Sequence, residues 1–274
     1  MPVIIVSSDL YRTGRDIAES AAGVLGYDLV GREILGKIAE KYGLPEAKLT
    51  QALDEGPSFL RRSSKLRHRY LAYIQEGTLF ELRKGNVVCQ GLAAHLYVLG
   101  VSHVLRVRIL SDTEKRAGDL AAERNISPNK AKRLLDREKK SHQRWSMEAF
   151  QLDETDPSHY DLVISLSQID STEAVKIIRE TVGYPRFKPM TYSLHCMEDL
   201  VLSSRVKALL WERFPGIRVR AERGTLVIET AALKREKDKK AKAIKELAGK
   251  IPGVEYVEVH VVNHIFHPAP RSFR

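Results

Sequence analysis

The sequence predicts an α/β fold followed by a small α+β unit, and three features carry that prediction. Short apolar runs recur at residues 3–6, 86–91, 104–110 and 160–165. Longer stretches with apolar residues at helical spacing lie between them, and strands alternating with helices imply a mostly parallel sheet. Beyond residues 183–189, where Pro185 and Pro189 punctuate the chain, the pattern changes.

The elements follow in order. Val3-Ile4-Ile5-Val6 reads as a buried strand, residues 7–14 as a loop and residues 15–25 as a helix. Ile34, Ile38 and Ala39 mark a second helix that closes near Gly43-Leu44-Pro45. Residues 59–83 read as a helix, basic at its start. Asn86-Val87-Val88-Cys89-Gln90-Gly91 is a strand opening a turn. In 104–110 apolar residues alternate with Arg106 and Arg108, as in a strand; 112–145 is charged and helical, with a break at 125–128. A strand at 160–165 and a helix from about Ser171 complete the first unit, and 184–196 is expected to be a linker. Beyond it, Leu202, Val206, Leu209 and Leu210 share a helix face, and Ile217, Val219 and Ala221 alternate as in a half-exposed strand. Arg223-Gly224 turns into a second strand. A helix with Ala241, Ile244, Leu247 and Ile251 leads to a last strand at Val257, Val259 and Val261. The expected boundaries are 1–183, 184–196, 197–264 and a tail over 265–274.

Composition narrows the function classes. The chain has 274 residues, enough for one large or two ordinary domains. No apolar run approaches the ~20 residues of a membrane span, and the four apolar residues behind Pro2 are too few for a secretory leader. Cys89 and Cys196 are the only cysteines, which argues against a disulfide scaffold or cysteine zinc site and fits a reduced, cytoplasmic setting. Lys and Arg outnumber Asp and Glu by 45 to 35, a net charge of +10 that favours anionic partners.

The first turn is the richest segment. A buried strand feeding a helix N-terminus is the layout of a phosphate-binding loop, because the free N–H groups and the helix dipole face an anion. Arg12, Thr13, Gly14, Arg15 and Asp16 are therefore the candidate nucleotide- or phosphate-binding residues.

Gly14-Arg15-Asp16-Ile17-Ala18, Gly26-Tyr27, Arg32-Glu33-Ile34-Leu35, Gly85-Asn86-Val87-Val88, Leu105-Arg106-Val107-Arg108 with Arg116, and Tyr160-Asp161-Leu162-Val163-Ile164 stand in an order that resembles the cytidylate kinase-like family. The resemblance covers about residues 2–182. It implies a parallel-sheet P-loop nucleoside-kinase fold, ATP and Mg²⁺ as cofactors if the chain is active, and a nucleoside monophosphate as acceptor. Carried onto this sequence, it implies Arg32 as an acceptor residue and Arg116, Arg133 and Arg137 as lid residues. The family's loop resembles Gly-Ser-Gly-Gly-Arg; Tyr11, Arg12, Thr13, Gly14 and Arg15 stand there instead. Gly31 replaces the usual aspartate before Arg32, and Gln90-Gly91-Leu92 replaces a Gly-Arg-Gly-like turn. These losses fall at the site, as in a domain that keeps its fold and loses catalysis.

Residues 197–263 resemble a BON domain. The resemblance rests on the helix around 201–214, Gly216-Ile217-Arg218-Val219, Gly224 with Leu226-Val227-Ile228, and Pro252-Gly253-Val254-Glu255-Tyr256-Val257. It implies a binding or docking module for phospholipid, a small ligand or another acidic surface, and a packing unit that supports homo-oligomerisation fits the same residues.

Other constellations are weaker. Residues 61–69 carry five basic groups without an acid; Arg62, Lys65 and Arg69 share a helix face that could hold an acceptor phosphate. The same face could track a nucleic-acid backbone, but no aromatic interleaving supports base stacking, so nucleic acid ranks last. Lys234 to Lys245 is basic and would be drawn to an anionic surface. His260, His264 and His267 lack the companions of a zinc site, and no metal site is expected. Three readings stand: a nucleotide or phosphate-ligand binder with weak or lost phosphoryl transfer, an active cytidylate-type kinase, and a docking protein for an acidic lipid or nucleic-acid partner.

Overall fold

A computed structural model describes residues 2–54 and 61–263. The backbone divides into two units at Met197 and Glu198. The first runs β1 (Val3–Ser8), α1 (Tyr11–Leu25), β2 (Asp28–Val30), α2 (Ile34–Tyr42), α3 (Glu46–Asp54), α4 (Arg61–Leu82), β3 (Val87–Gln90), α5 (Ala94–Tyr97), β4 (Val104–Leu110), α6 (Thr113–Arg124), α7 (Pro128–Phe150), β5 (Leu162–Ser165) and α8 (Ser171–Val182).

The five strands form one sheet in the order β2-β3-β1-β4-β5, and every pairing is parallel. A central parallel strand is covered on both faces and reads as an unbroken apolar run rather than an alternating one. β1 fits: Val3 to Val6 are fully buried, with Val3 opposite Val87 and Val104. On one face α1 offers Ile17, Ala18, Ala21 and Ala22, which pack with Ala174, Val175 and Ile178 of α8 in one core. Leu71, Ile74, Leu79 and Leu82 bury α4. A β-carbon on Gly77 of that helix would lie 2.5 Å from Ile38 of α2, so only glycine permits so close an approach.

The structure departs from the sequence reading in three places. β1 runs on to Ser8 and α1 begins at Tyr11, so the expected eight-residue loop shrinks to Asp9-Leu10. The reason is the missing glycines: nothing from Ser7 to Thr13 favours the left-handed conformations that open a wide loop, and these residues extend the strand and helix instead. β2 and α3 were not expected. β2 spans three residues, too few to show a period, and Pro45, read as a stop, opens the first turn of α3, where a missing N–H costs nothing. The segment expected as a linker, 184–196, is ordered: a 3-10 turn spans Pro185–Phe187, Phe187 is buried, and α9 (Thr191–Trp211) begins ten residues before the expected helix. Its first turns expose Tyr192 and Leu194 and bury Ser193, which hides the helical period from an apolar pattern search.

The second unit continues from α9 into β6 (Arg218–Glu222), β7 (Thr225–Ala232), α10 (Lys237–Ala248) and β8 (Tyr256–Asn263). β6 and β7 form an antiparallel hairpin through Arg223-Gly224, both at positive φ, as a two-residue turn of matched twist requires. β8 pairs parallel to β7 after the α10 crossover. β7 alternates half-buried and buried residues, and Val206, Leu210, Leu226, Ile228, Ile244 and Val257 form a core of its own. His264, His267 and the expected tail lie outside the described residues.

Candidate functional site

In an open parallel sheet, ligands bind outside the carboxyl ends of the strands where the strand order reverses. Here the chain leaves β1 for the edge strand β2, returns to β3 beside β1, and then crosses to β4 and β5 on the other side, so the connections that leave β1 and β4 run in opposite directions and the switch lies between those strands. A cavity of about 680 Å³ opens at that point. Leu10 and Thr13 reach it from the end of β1, Ser111 and Asp112 from the end of β4, and Leu166, Ile169 and Asp170 from the end of β5. α6 and α7 form its outer wall, a helical hairpin closed on Ala117, Ala121, Ala131 and Leu135.

Two of the three helix N-termini around this cavity are already capped. Asp112 accepts from the N–H groups of Glu114 (2.9 Å) and Lys115 (3.1 Å) at the start of α6. Asp170 and Glu173 form a reciprocal capping box on α8. No side chain caps α1. Its Gly14 N–H, however, donates to Leu10 O at 3.0 Å and is spent within the helix.

The expected phosphate residues are placed as follows. Thr13 lines the cavity, Gly14 is buried against Ser8, and Arg12 and Asp16 are exposed. Arg15 turns to Glu33, with Nη1 to Oε2 at 3.1 Å, and hydrogen bonds to Tyr11 and Glu33 hold its pKa above the ordinary value. The other Glu33 oxygen accepts from Gly31 N–H at 2.6 Å. A β-carbon on Gly31 would fall 2.8 Å from that carboxylate and 3.2 Å from Arg15 Nη1, so the lack of a side chain there makes room for the Arg15–Glu33 pair.

Among the expected acceptor residues, Arg32 forms a two-pronged bond to Asp54 and lies over the Tyr11 ring, 4.8 Å from its centre. Tyr11 thus sits with both Arg15 and Arg32. Lys65 is exposed, and the Arg69 guanidinium lies 5.3 Å from the Tyr70 ring centre. Arg62 belongs to α4, but its side chain lies outside the described residues. None of Arg32, Lys65 and Arg69 lines the cavity. Among the described side chains of α4, Arg67 is buried, 3.6 Å from Glu148 of α7.

Of the expected lid residues only Arg116 reaches the cavity; Arg133 and Arg137 are exposed away from it. Arg116 is held by Glu138 at 3.2 Å and Asp9 at 3.8 Å. Asp9 in turn accepts from Ser111 N–H (2.9 Å) and hydroxyl (2.8 Å). Sequence reasoning did not single out Ser111 and Lys115, which line the cavity, or Asp9, which does not line it but binds Ser111. Asp9 was legible in principle, as a charge two residues before a helix in a turn without glycine.

A second polar cluster stands beside this site. Arg108 donates to Ser7 Oγ at 2.7 Å, Tyr160 donates to Glu154 O at 2.6 Å, and buried His95 stacks on Tyr160 at 5.0 Å.

A triphosphate with Mg²⁺ needs successive loop N–H groups, a free cation on the β- and γ-oxygens and a hydroxyl for the metal. The two-residue turn, the bonded Gly14 N–H and the paired Arg15 do not fit that group. Among the described residues no cluster of three or more His, Cys, Asp or Glu is placed to hold a metal ion.

The parallel sheet, its helical cover and a cavity at the strand switch define an open-sheet α/β protein. The chain belongs to the cytidylate kinase-like family, whose model matches residues 3–168, more than half of its length. No curated protein matches it significantly. Solved structures similar to it include an uncharacterized protein from Eubacterium ventriosum ATCC 27560, with 14% identity and TM-score 0.47 over 66% of this chain and 98% of the other. Shikimate kinase from Bacteroides thetaiotaomicron has 10% identity and TM-score 0.39 over 67% and 99%. Dephospho-CoA kinase from Campylobacter jejuni has 13% identity and TM-score 0.36 over 65% and 96%. No helix among the described residues is long and apolar enough to cross a membrane.

Proposed function

We propose that the first unit binds a nucleotide or a related phosphate ligand in the cavity between β1 and β4, with phosphoryl transfer weak or lost. The observation that carries this reading is the pairing of a kinase-family cavity with a collapsed first turn. The cavity lies where such ligands bind, while Tyr11, Arg15 and Arg32 are engaged with one another and with Glu33 and Asp54. Phosphoryl transfer depends on positioning and positive charge, and both are weakened here. The second unit is read as a BON-like docking module for an acidic surface. Its α-β-β-α-β order, positive-φ Gly224 and Gly253, and the basic stretch opening α10 support that reading. A cytoplasmic setting fits the composition. The test is a nucleotide titration of the wild type and of Ser171→Trp, an exposed wall position. Binding that the tryptophan abolishes supports the reading; equal binding in both moves the ligand elsewhere.

A further inference from the structure

We infer that the cavity between β1 and β4 takes a nucleoside or nucleoside monophosphate and rejects di- and triphosphates, and that the chain's own Asp9 carboxylate does the rejecting. This rests on the reading of the cavity as a nucleotide site and sets its charge preference.

Five carboxylates line the cavity against three cations, Lys115, Arg116 and Arg124. A polyphosphate carries several negative charges and needs the opposite balance. Arg116 is paired with Glu138, one of the five, and with Asp9, which leaves four carboxylates against two cations. Lys115 and Arg124 remain, on the same helix α6 as Asp119 and Glu123.

A phosphate at the end of β1 would look for the Ser111 N–H, the Ser111 hydroxyl and the Arg116 guanidinium. All three already serve the Asp9 carboxylate. That carboxylate does not itself line the cavity, but it is bonded to Ser111 and paired with Arg116, which do, so a phosphate that reaches for those donors meets like charge.

The remaining surface suits an uncharged body. Leu10, Leu120, Leu135, Leu166 and Ile169 supply aliphatic walls. Asp119 and Glu123 can accept from ribose hydroxyls or a base amino group. About 680 Å³ lies within the ~300–1,000 Å³ usual for small-molecule sites. One phosphate can be met by Lys115 or Arg124; three cannot.

The test is isothermal titration of the full chain with adenosine and cytidine, their monophosphates and their triphosphates, repeated on Asp9→Asn. The wild type is expected to bind a nucleoside or its monophosphate at least as tightly as the matching triphosphate. Removing the carboxylate is expected to raise the triphosphate-to-nucleoside affinity ratio by about tenfold. Wild-type affinity that climbs with each added phosphate, or a ratio unmoved in Asp9→Asn, overturns this inference and leaves the nucleotide site standing. No binding by any of the six ligands overturns the nucleotide site as well. The wild-type series decides the matter by itself if the variant does not fold.

Discussion

Tyr11 and His95 show how single residues set the properties of this unit. Tyr11 is half-exposed where a phosphate-binding chain has glycine; its side chain hydrogen-bonds Arg15, and its ring carries Arg32. His95 is buried on α5 against Tyr160, and neither ring nitrogen has a hydrogen-bond partner. Burial first, then the Arg108 charge, pushes its pKa down to about 3. The unfolded chain takes up that proton near 6.5, the folded chain only near 3. Between those values the unfolded state holds more protons, so stability falls as pH drops, by at most about 1.4 kcal/mol per pH unit for this group. His95→Gln is expected to flatten the acid side of the stability profile by about one proton, read from urea unfolding between about pH 7 and about pH 4.5. An unchanged slope would mean that His95 is not the group titrating. Loss of the loop glycines was legible in the sequence. The partners of the remaining arginines were not, because Glu33 and Asp54 lie 18 and 22 residues from Arg15 and Arg32 and meet them only through the packing of α2 and α3.

At the scale of elements, α1 is the hinge of the account. It starts two residues after β1 and crosses so close that a β-carbon on Gly14 would stand 2.6 Å from Ser8 Cβ. Gly14 therefore works by its size, inside a helix, rather than by freedom of φ in a phosphate loop. Gly14→Ala is expected to cost ~1–3 kcal/mol through overpacking, a fall in Tm of about 2–4 °C for each kcal/mol. Gly118→Ala, in α6 with open space around it, is expected to be neutral or to stabilise by up to about 1 kcal/mol. Equal effects at the two sites, measured by thermal unfolding, would contradict the packing role. The strands β1 and β3 were legible because buried parallel strands leave apolar runs in the chain, and β4 because its apolar residues alternate with Arg106 and Arg108. β2 and the early turns of α9 were not: one is too short for a period, and the other carries its apolar side chains outward.

For the whole molecule, the sequence marks two units by a change of pattern, and the backbone divides within α9, between Met197 and Glu198. The second unit has its own core, from Val206 to Val257. A chain of residues 190–274, which keeps all of α9, is expected to unfold cooperatively on heating; a broad, non-cooperative melt would show that this core needs the first unit. The cavity was not legible as such, because it is built from the ends of three strands spread over 160 residues of chain. The central claim is that a kinase-family fold here keeps a ligand cavity while its phosphate turn has closed on itself. The most direct measurement is ADP formation by the full chain with cytidine monophosphate, ATP and Mg²⁺. The account predicts turnover far below the ~1–100 per second of working kinases. Cytidylate-dependent ADP formation within that range would contradict it.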